Sequence, residues 1–200
     1  PSTLTDEILD QMASEPRFAR HLHVPFQSGS DSVLRAMRRR YTVGDFDRLV
    51  NRITARMDEF GLGTDVICGF PGETAEDFQA TFDCLTRWPI SYLHPFTYSV
   101  RPGSEAAEFG DPVPGDEKKR RTRSLKRLSQ EAHAHFKERY VGREVDVLLE
   151  SSERRGERFV SGLTDTFVRV ELASGTNAKG MARVRVEGIT PEGLRGRVVH

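Results

Sequence analysis

Four segments of this 200-residue sequence place polar residues where a strand-like run gives way to a loop. In parallel α/β sheets and barrels, ligands bind at such strand ends. Pro25-Phe26-Gln27-Ser28-Gly29-Ser30-Asp31 is the first. Gln27 offers a donor and an acceptor on one amide, and Gly29 lets backbone approach a ligand closely. An ordinary polar loop is the competing reading. In the second, Asp65 to Thr74, a carboxylate sits inside an apolar strand. An unpaired buried charge is expensive, so Asp65 needs a ribose hydroxyl, a cationic ligand group or a structural salt bridge. Ile67, Gly69 and Phe70 could form a flat apolar wall for a purine ring, and Glu73 could be a plain helix-start charge. In the third, Met37 to Thr42, three arginines either complement a helix C-terminus or turn one guanidinium inward to grip a carboxylate. In the fourth, Pro95 to Ser104, Tyr98 and Arg101 could stack on and pair with a nucleotide, or could pack and solvate. His21, His23 and His94 lie on strand-like runs without a carboxylate at ligand-like spacing along the chain, so no metal site is read. No Ser/His/Asp set, Walker loop or Rossmann glycine pattern occurs, and no residue is assigned a catalytic role.

Alternating strands and helices position these segments up to about Tyr140. His21–Phe26 reads as a strand, and Ser30 as the cap of a helix through Val33, Leu34 and Met37. Thr42 and Asp45 form a capping-box variant before a helix with Phe46, Leu49, Val50, Ile53, Met57 and Phe60 on one face. Gly61 and Gly63 are read as its end. Thr64–Gly69 is the next strand, and Thr74 with Asp77 opens a helix burying Phe78, Phe82 and Leu85. Tyr92–Tyr98 is a third strand, and 101–115 a Pro/Gly-rich loop. A long helix then carries Leu125, Leu128, Ala132 and Phe136 inward, its basic start, Lys118 to Arg123, being a solvated face or a phosphate-contacting one. This pattern predicts parallel βαβ units. Beyond it, five short alternating runs, Glu144–Leu149, Arg158–Leu163, Phe167–Leu172, Ala182–Ile189 and Leu194–Val199, predict a small β-barrel. Residues 1–140 and 141–200 are therefore expected to be two domains.

Composition narrows the function classes. Thirty basic and thirty acidic residues cancel, so nucleic-acid binding must come from local patches. The barrel segment itself holds 10 basic and 9 acidic side chains. No apolar run approaches the roughly 20 residues that span a bilayer, and the first residues do not resemble a signal peptide. Cys68 and Cys84 read as reduced, partly buried thiols of a cytoplasmic protein. The absence of an initial Met suggests an N-terminal truncation.

Taken together, the segments resemble the methylthiotransferase branch of the radical S-adenosylmethionine (SAM) superfamily. His21 to Asp31 with Met37 to Thr42, Thr64 to Thr74, and Tyr98 to Ser104 resemble that family's fourth-, fifth- and sixth-strand regions, in order. The terminal barrel resembles the TRAM domain, an RNA-binding module of these enzymes. The resemblance implies an α/β fold: the C-terminal part of a partial TIM-type barrel followed by a small all-β barrel. It implies SAM and two [4Fe–4S] clusters as cofactors, tRNA and a cluster reductant as partners, and a cytoplasmic location. The implied reaction cleaves SAM at a reduced cluster; the 5′-deoxyadenosyl radical removes hydrogen from C2 of a modified adenine beside the anticodon. A second cluster then supplies sulfur, and a second SAM the methyl group. Gln27, Arg39 and Asp65 match positions near SAM, and Ile67, Gly69 and Phe70 match its adenine wall. Leu93-His94 and Gly162 to Val170 resemble the threonylcarbamoyladenosine enzymes more than the isopentenyladenosine ones, and Ser28 argues against the ribosomal-protein enzymes. The family's clusters need a CxxxCxxC motif and three further cysteines, which this chain lacks. Their ligands are expected upstream, on an N-terminal part of the same protein. The chain alone is expected to be inactive, with an exposed sheet edge and apolar core, or to act as a non-catalytic RNA-binding module.

Overall fold

Alternate burial along one strand organises the first half of the chain. A computed structural model describes residues 3–100, 102–110, 113–154, 157–173 and 178–199. Strands β1 (His21–His23), β2 (Gly61–Cys68) and β3 (Tyr92–Thr97) pair in parallel in that order. Leu62, Thr64, Val66 and Cys68 of β2 are buried on one face, while Asp65 and Ile67 on the other are only half-buried. Helices α1 (Asp6–Ser14), α2 (Asp31–Ala36), α3 (Val43–Thr54), α4 (Ala75–Arg87) and α5 (Gly115–Glu138) complete this half. The core joins Leu9, Phe46, Leu49, Ile53, Leu62, Val66, Phe78, Leu85 and Leu125. Phe26, Phe46 and Trp88 meet at centroid distances of 4.7–4.8 Å, and the Trp88 indole N–H donates to Asp47 at 2.8 Å.

Local capping explains where the helices begin. Thr42 with Asp45, and Thr74 with Asp77, each form a complete capping box, with the shorter Asp replacing Glu. Ser30 caps α2, as expected. Helix α1 has no counterpart in the sequence reading; Thr5 caps it and Leu9 and Met12 are buried. Three expectations are corrected. Helix α3 stops at Thr54, and Met57 and Phe60 bury from the turn that follows. Gly61 and Gly63 belong to β2 rather than to a helix end. Gly63 lies beneath the Tyr92 ring, where a Cβ would collide. Gly29 faces the backbone of α4 at Thr81, not a ligand, and its N–H donates to Thr81 Oγ1 at 2.8 Å.

Helix α5 protects the outer edge of β3. Ser129 Oγ accepts from Leu93 N–H at 2.9 Å and donates to Leu93 O at 2.8 Å, satisfying groups that an open edge would leave for other strands. Strands β4 (Glu144–Arg154), β5 (Glu157–Thr164), β6 (Arg169–Leu172), β7 (Gly180–Thr190) and β8 (Gly193–Val198) close into a barrel of order β4-β5-β6-β8-β7. Val147, Val170, Val184 and Leu194 fill it, and Phe136 and Tyr140 from the end of α5 join that core. The expected fold class, a parallel α/β layer and then a small β-barrel, is borne out. Strand β6 begins two residues later than expected: Phe167 adopts φ 65° in a turn and stacks on His21 at 4.6 Å. Tyr140 Oη and Thr166 Oγ1 lie 2.5 Å apart, Arg20 pairs with Asp165 at 2.6 Å, and Arg143 pairs with Glu59. These contacts dock the barrel at the N-terminal ends of β1 and β2.

Gly29→Ala tests the contact between this turn and α4. Its methyl group must displace the backbone of Thr81, so the variant is expected to lose about 1–3 kcal/mol, read as a lower urea midpoint by circular dichroism.

Candidate functional site

The turn after β1 is strained and its side chain is free. The Ser28 N–H donates to the Phe26 carbonyl at 3.0 Å across Gln27, whose φ is 72°. A γ-turn with positive φ at a non-glycine centre is rare, and such conformations cost about 1–3 kcal/mol unless their surroundings impose them. Here the surroundings do. Phe26 N–H and Gln27 N–H both donate to the Asp65 carbonyl, at 3.2 and 2.9 Å, and Ile67 N–H donates to the Gln27 carbonyl at 3.0 Å. Thr64 Oγ1 bridges Val24 O and Phe26 N–H. The Tyr41 hydroxyl is shared between Pro25 O and Phe26 O at 3.2 and 3.1 Å. Burial pushes that hydroxyl's pKa up, and the nearby charge of Arg39 opposes the push. The Gln27 side chain makes no hydrogen bond to the described residues, although the residue is only 8 % exposed.

Arg39 ends the turn that follows α2. Arg38 takes φ 56°, Arg38 N–H donates to Arg35 O, and Arg39 N–H donates to Leu34 O, the pattern of a Schellman cap. Arg38 pairs with Glu105, both side chains being well exposed. Among the described residues no arginine of this triplet turns inward to a carboxylate of the chain. Arg39 is exposed and has no ion pair among the described residues.

The face of the sheet turned away from the helices is polar. Asp65 lies opposite His94 in the β2–β3 register, and His23 lies opposite Gly63. Asp65 Oδ1 is 3.0 Å from His23 Nε2 and 3.5 Å from His94 Nδ1. Tyr92 Oη lies 3.0 Å from His21 Nε2 and 3.3 Å from His23 Nδ1, and burial lowers the His21 pKa. Among the described residues Asp65 thus has histidine partners, neither a lysine nor an arginine. On this face half-buried Ile67 and exposed Phe96 accompany five polar side chains. Spacing along the chain hid the carboxylate beside the histidines because the register that joins them runs across strands.

The loop after β2 is clamped by α5. The Glu73 carboxylate accepts from Gly69 N–H at 2.7 Å and from Arg121 at 2.5 Å, and its side chain is 1 % exposed. Burial raises the Glu73 pKa, against those two donors. Arg121 also donates to Glu117 at 2.8 Å, and Arg120 and Arg121 hold the Glu117 carboxyl down to about 2. Lys118 packs on Gly69, with its ammonium 5.4 Å from the centre of the Tyr98 ring. The basic start of α5 is therefore split: Lys118 and Arg121 are buried structural cations, while Lys119, Arg120 and Arg123 are exposed. Phe70 is buried edge-to-face with Tyr98 at 5.2 Å, and the buried Tyr98 hydroxyl has no hydrogen-bond partner among the described residues. Arg101 lies outside the described residues.

The turn at Gln27 is thus hydrogen-bonded to the backbone of Asp65 and Ile67 on β2, whereas exposed Arg39 is linked to this turn only by the influence of its charge on Tyr41. Phe70 and Tyr98 form a separate packed pair beside Gly69. A hollow of about 420 Å³ between β3 and α5 is lined by Tyr92, His94, Lys126, Gln130 and His133; Gln27, Arg39 and Asp65 do not line it. The two cysteines do not fit a cluster. They sit on different elements, and burial pushes the Cys68 thiol up to about 12 and the Cys84 thiol up as well. Iron–sulfur clusters are held by thiolates.

Residues 1–85 match the model of the radical SAM superfamily. A threonylcarbamoyladenosine tRNA methylthiotransferase of Thermotoga maritima is 36 % identical over 191 residues, 96 % of this chain and 43 % of the relative. The chain is similar to the C-terminal region of radical SAM methylthiotransferases. A tRNA-2-methylthio-N6-dimethylallyladenosine synthase of Clavibacter michiganensis is 41 % identical over 155 residues, 78 % of this chain and 29 % of the relative. One of Magnetococcus marinus is 34 % identical over 200 residues, 100 % of this chain and 46 % of the relative. The chain spans less than half the length of these relatives. The closed terminal barrel is consistent with the TRAM module of such methylthiotransferases. No described helix is long and apolar enough to cross a membrane.

Arg121→Ala tests the clamp on the loop after β2. Leaving Glu73 buried without its cation is expected to cost about 3–5 kcal/mol, measured by urea denaturation.

Proposed function

We propose that this chain serves a tRNA methylthiotransferase that adds a methylthio group to C2 of N6-threonylcarbamoyladenosine next to the anticodon. The observation that carries the reading is the match to the Thermotoga maritima enzyme of that name over 191 residues. Leu93-His94 and the Gly162–Val170 stretch support the same branch.

In this reading the residues at the strand ends would hold SAM. Gln27 would donate to and accept from its polar groups, since its amide has no hydrogen-bond partner among the described residues and its backbone is held in place. Arg39 reaches its carboxylate or ribose, and Asp65 lies close by. Ile67, Gly69 and Phe70 back the adenine. When bound at a reduced [4Fe–4S] cluster, SAM supplies a hydrogen-abstracting carbon radical. The ligands of both clusters belong to the N-terminal part of the protein, and an external reductant supplies the electron. Tyr98 and Arg101 are assigned to the tRNA nucleoside by the family resemblance of their segment alone.

The barrel holds tRNA through local charge. Arg183 and Arg185 pair with Glu144 and Asp146, and Arg197 pairs with Glu187. Exposed Arg195 has no ion pair among the described residues. Phosphate contact therefore exchanges existing ion pairs, and RNA binding weakens as salt rises. Dimethylallyladenosine is the second reading, favoured by the 41 % identity over 155 residues.

Mass spectrometry of tRNA nucleosides tests the substrate. A strain lacking the gene is expected to lose 2-methylthio-threonylcarbamoyladenosine and keep the methylthiolated dimethylallyl nucleoside. The opposite loss transfers the assignment to the second reading, and no change in either defeats both. Gln27→Ala in the full-length protein is expected to weaken SAM binding by about tenfold, since a hydrogen bond to a charged group contributes about 1.5–3 kcal/mol. Unchanged affinity by calorimetry removes Gln27 from the site.

A further inference from the structure

We propose that His23, Asp65 and His94 form a binding site for one first-row divalent transition-metal cation on the open face of the parallel sheet. The three side chains come from three adjacent strands, so the backbone ladder fixes their spacing. Asp65 Oδ1 lies 3.0 Å from His23 Nε2 and 3.5 Å from His94 Nδ1, and all three ligand atoms fall within 4.8 Å of one another. Metal–nitrogen and metal–oxygen bonds of about 2.0–2.1 Å place neighbouring ligand atoms of a tetrahedral cation roughly 3.3 Å apart. The observed spacing needs only small side-chain rotations to match.

The surroundings suit a metal. Histidine ligands are oriented by a hydrogen bond at their other ring nitrogen. His23 Nδ1 has that partner in Tyr92 Oη at 3.3 Å, which in turn lies 3.0 Å from His21 Nε2. Tyr92 can lie there because Gly63 beneath it has no Cβ. Asp65 has no lysine or arginine partner among the described residues, so a divalent ion supplies the missing positive charge. Two imidazoles and a carboxylate favour Zn(II), Co(II), Ni(II) or Fe(II) over Mg(II), which prefers oxygen ligands. The His23, Asp65 and His94 side chains are 31, 26 and 58 % exposed, leaving the remaining coordination positions for water or another ligand. The site has no thiolate. It goes beyond the proposed tRNA activity.

Calorimetry of the 200-residue chain, stripped with chelator and titrated with Zn(II), Co(II) and Mg(II), tests the proposal without SAM or tRNA. Its failure therefore leaves the methylthiotransferase reading standing. One Zn(II) or Co(II) per chain is expected, with visible Co(II) bands of a nitrogen–oxygen site. Asp65→Asn and His94→Gln abolish binding while the circular dichroism spectrum is kept. His94 is exposed, so its variant folds even if the Asp65 one does not. Tyr92→Phe weakens binding by roughly tenfold, and the surface variant His135→Gln does not change it. Absence of stoichiometric Zn(II) or Co(II) binding, equal binding of Mg(II), or binding that survives His94→Gln overturns the site and leaves a hydrogen-bonded network.

Discussion

A strand flanked by two parallel neighbours must send alternate side chains to opposite faces, and β2 imposes that rule on the whole first half. Leu62, Val66 and Cys68 are each at most 1 % exposed against the helices. A slip of one residue would drive Asp65 into that core and swing Val66 out, so the apolar face fixes the register. The register in turn places Asp65 opposite His94 and beside His23. The polar face is therefore a consequence of the core: chemistry is assembled on one side by hydrophobic burial on the other.

Helix α5 connects the two halves through three kinds of contact. Near its start Arg121 and Lys118 fix the loop after β2, in its middle Ser129 satisfies the edge of β3, and at its end Phe136 enters the barrel core. Each contact costs side-chain entropy, but one rigid helix carries all three, so ordering one contact helps to order the others. Burying Arg121 would be unfavourable alone; Glu73 and Glu117 make it tolerable.

Much of this was legible in the sequence where the signal is local. The two Thr-x-x-Asp boxes mark helix starts because capping involves residues three apart. The barrel strands show in alternation interrupted by turn residues. What failed was non-local. Gly61 and Gly63 look like helix terminators, and only the Tyr92 ring above Gly63 shows why glycine is needed within a strand. The basic run at 118–123 looks like one surface, but the helical period turns Lys118 and Arg121 inward, where Glu73, far away in sequence, receives Arg121. The strand-end residues Gln27 and Asp65 could be picked out, yet the γ-turn that presents Gln27 has no sequence signature beyond its position before Ser28-Gly29.

The placement of the barrel bears on the size of the substrate. Its docking turn, Asp165 to Phe167, meets Arg20 and His21 at the N-terminal ends of the parallel strands. Gln27 and Gly69 lie at the opposite ends. Seven steps along β2, at about 3.3 Å each, separate those ends by roughly 23 Å. Helix α5 runs back over that distance, from Lys118 beside Gly69 to Tyr140 beside Thr166. A ligand held by both the strand ends and the barrel must therefore be tens of ångströms long. A free nucleoside cannot reach both, whereas a folded RNA can, with its modified base at the strand ends and its backbone on the barrel. Under the proposed function, that separation suits a tRNA better than a free nucleoside.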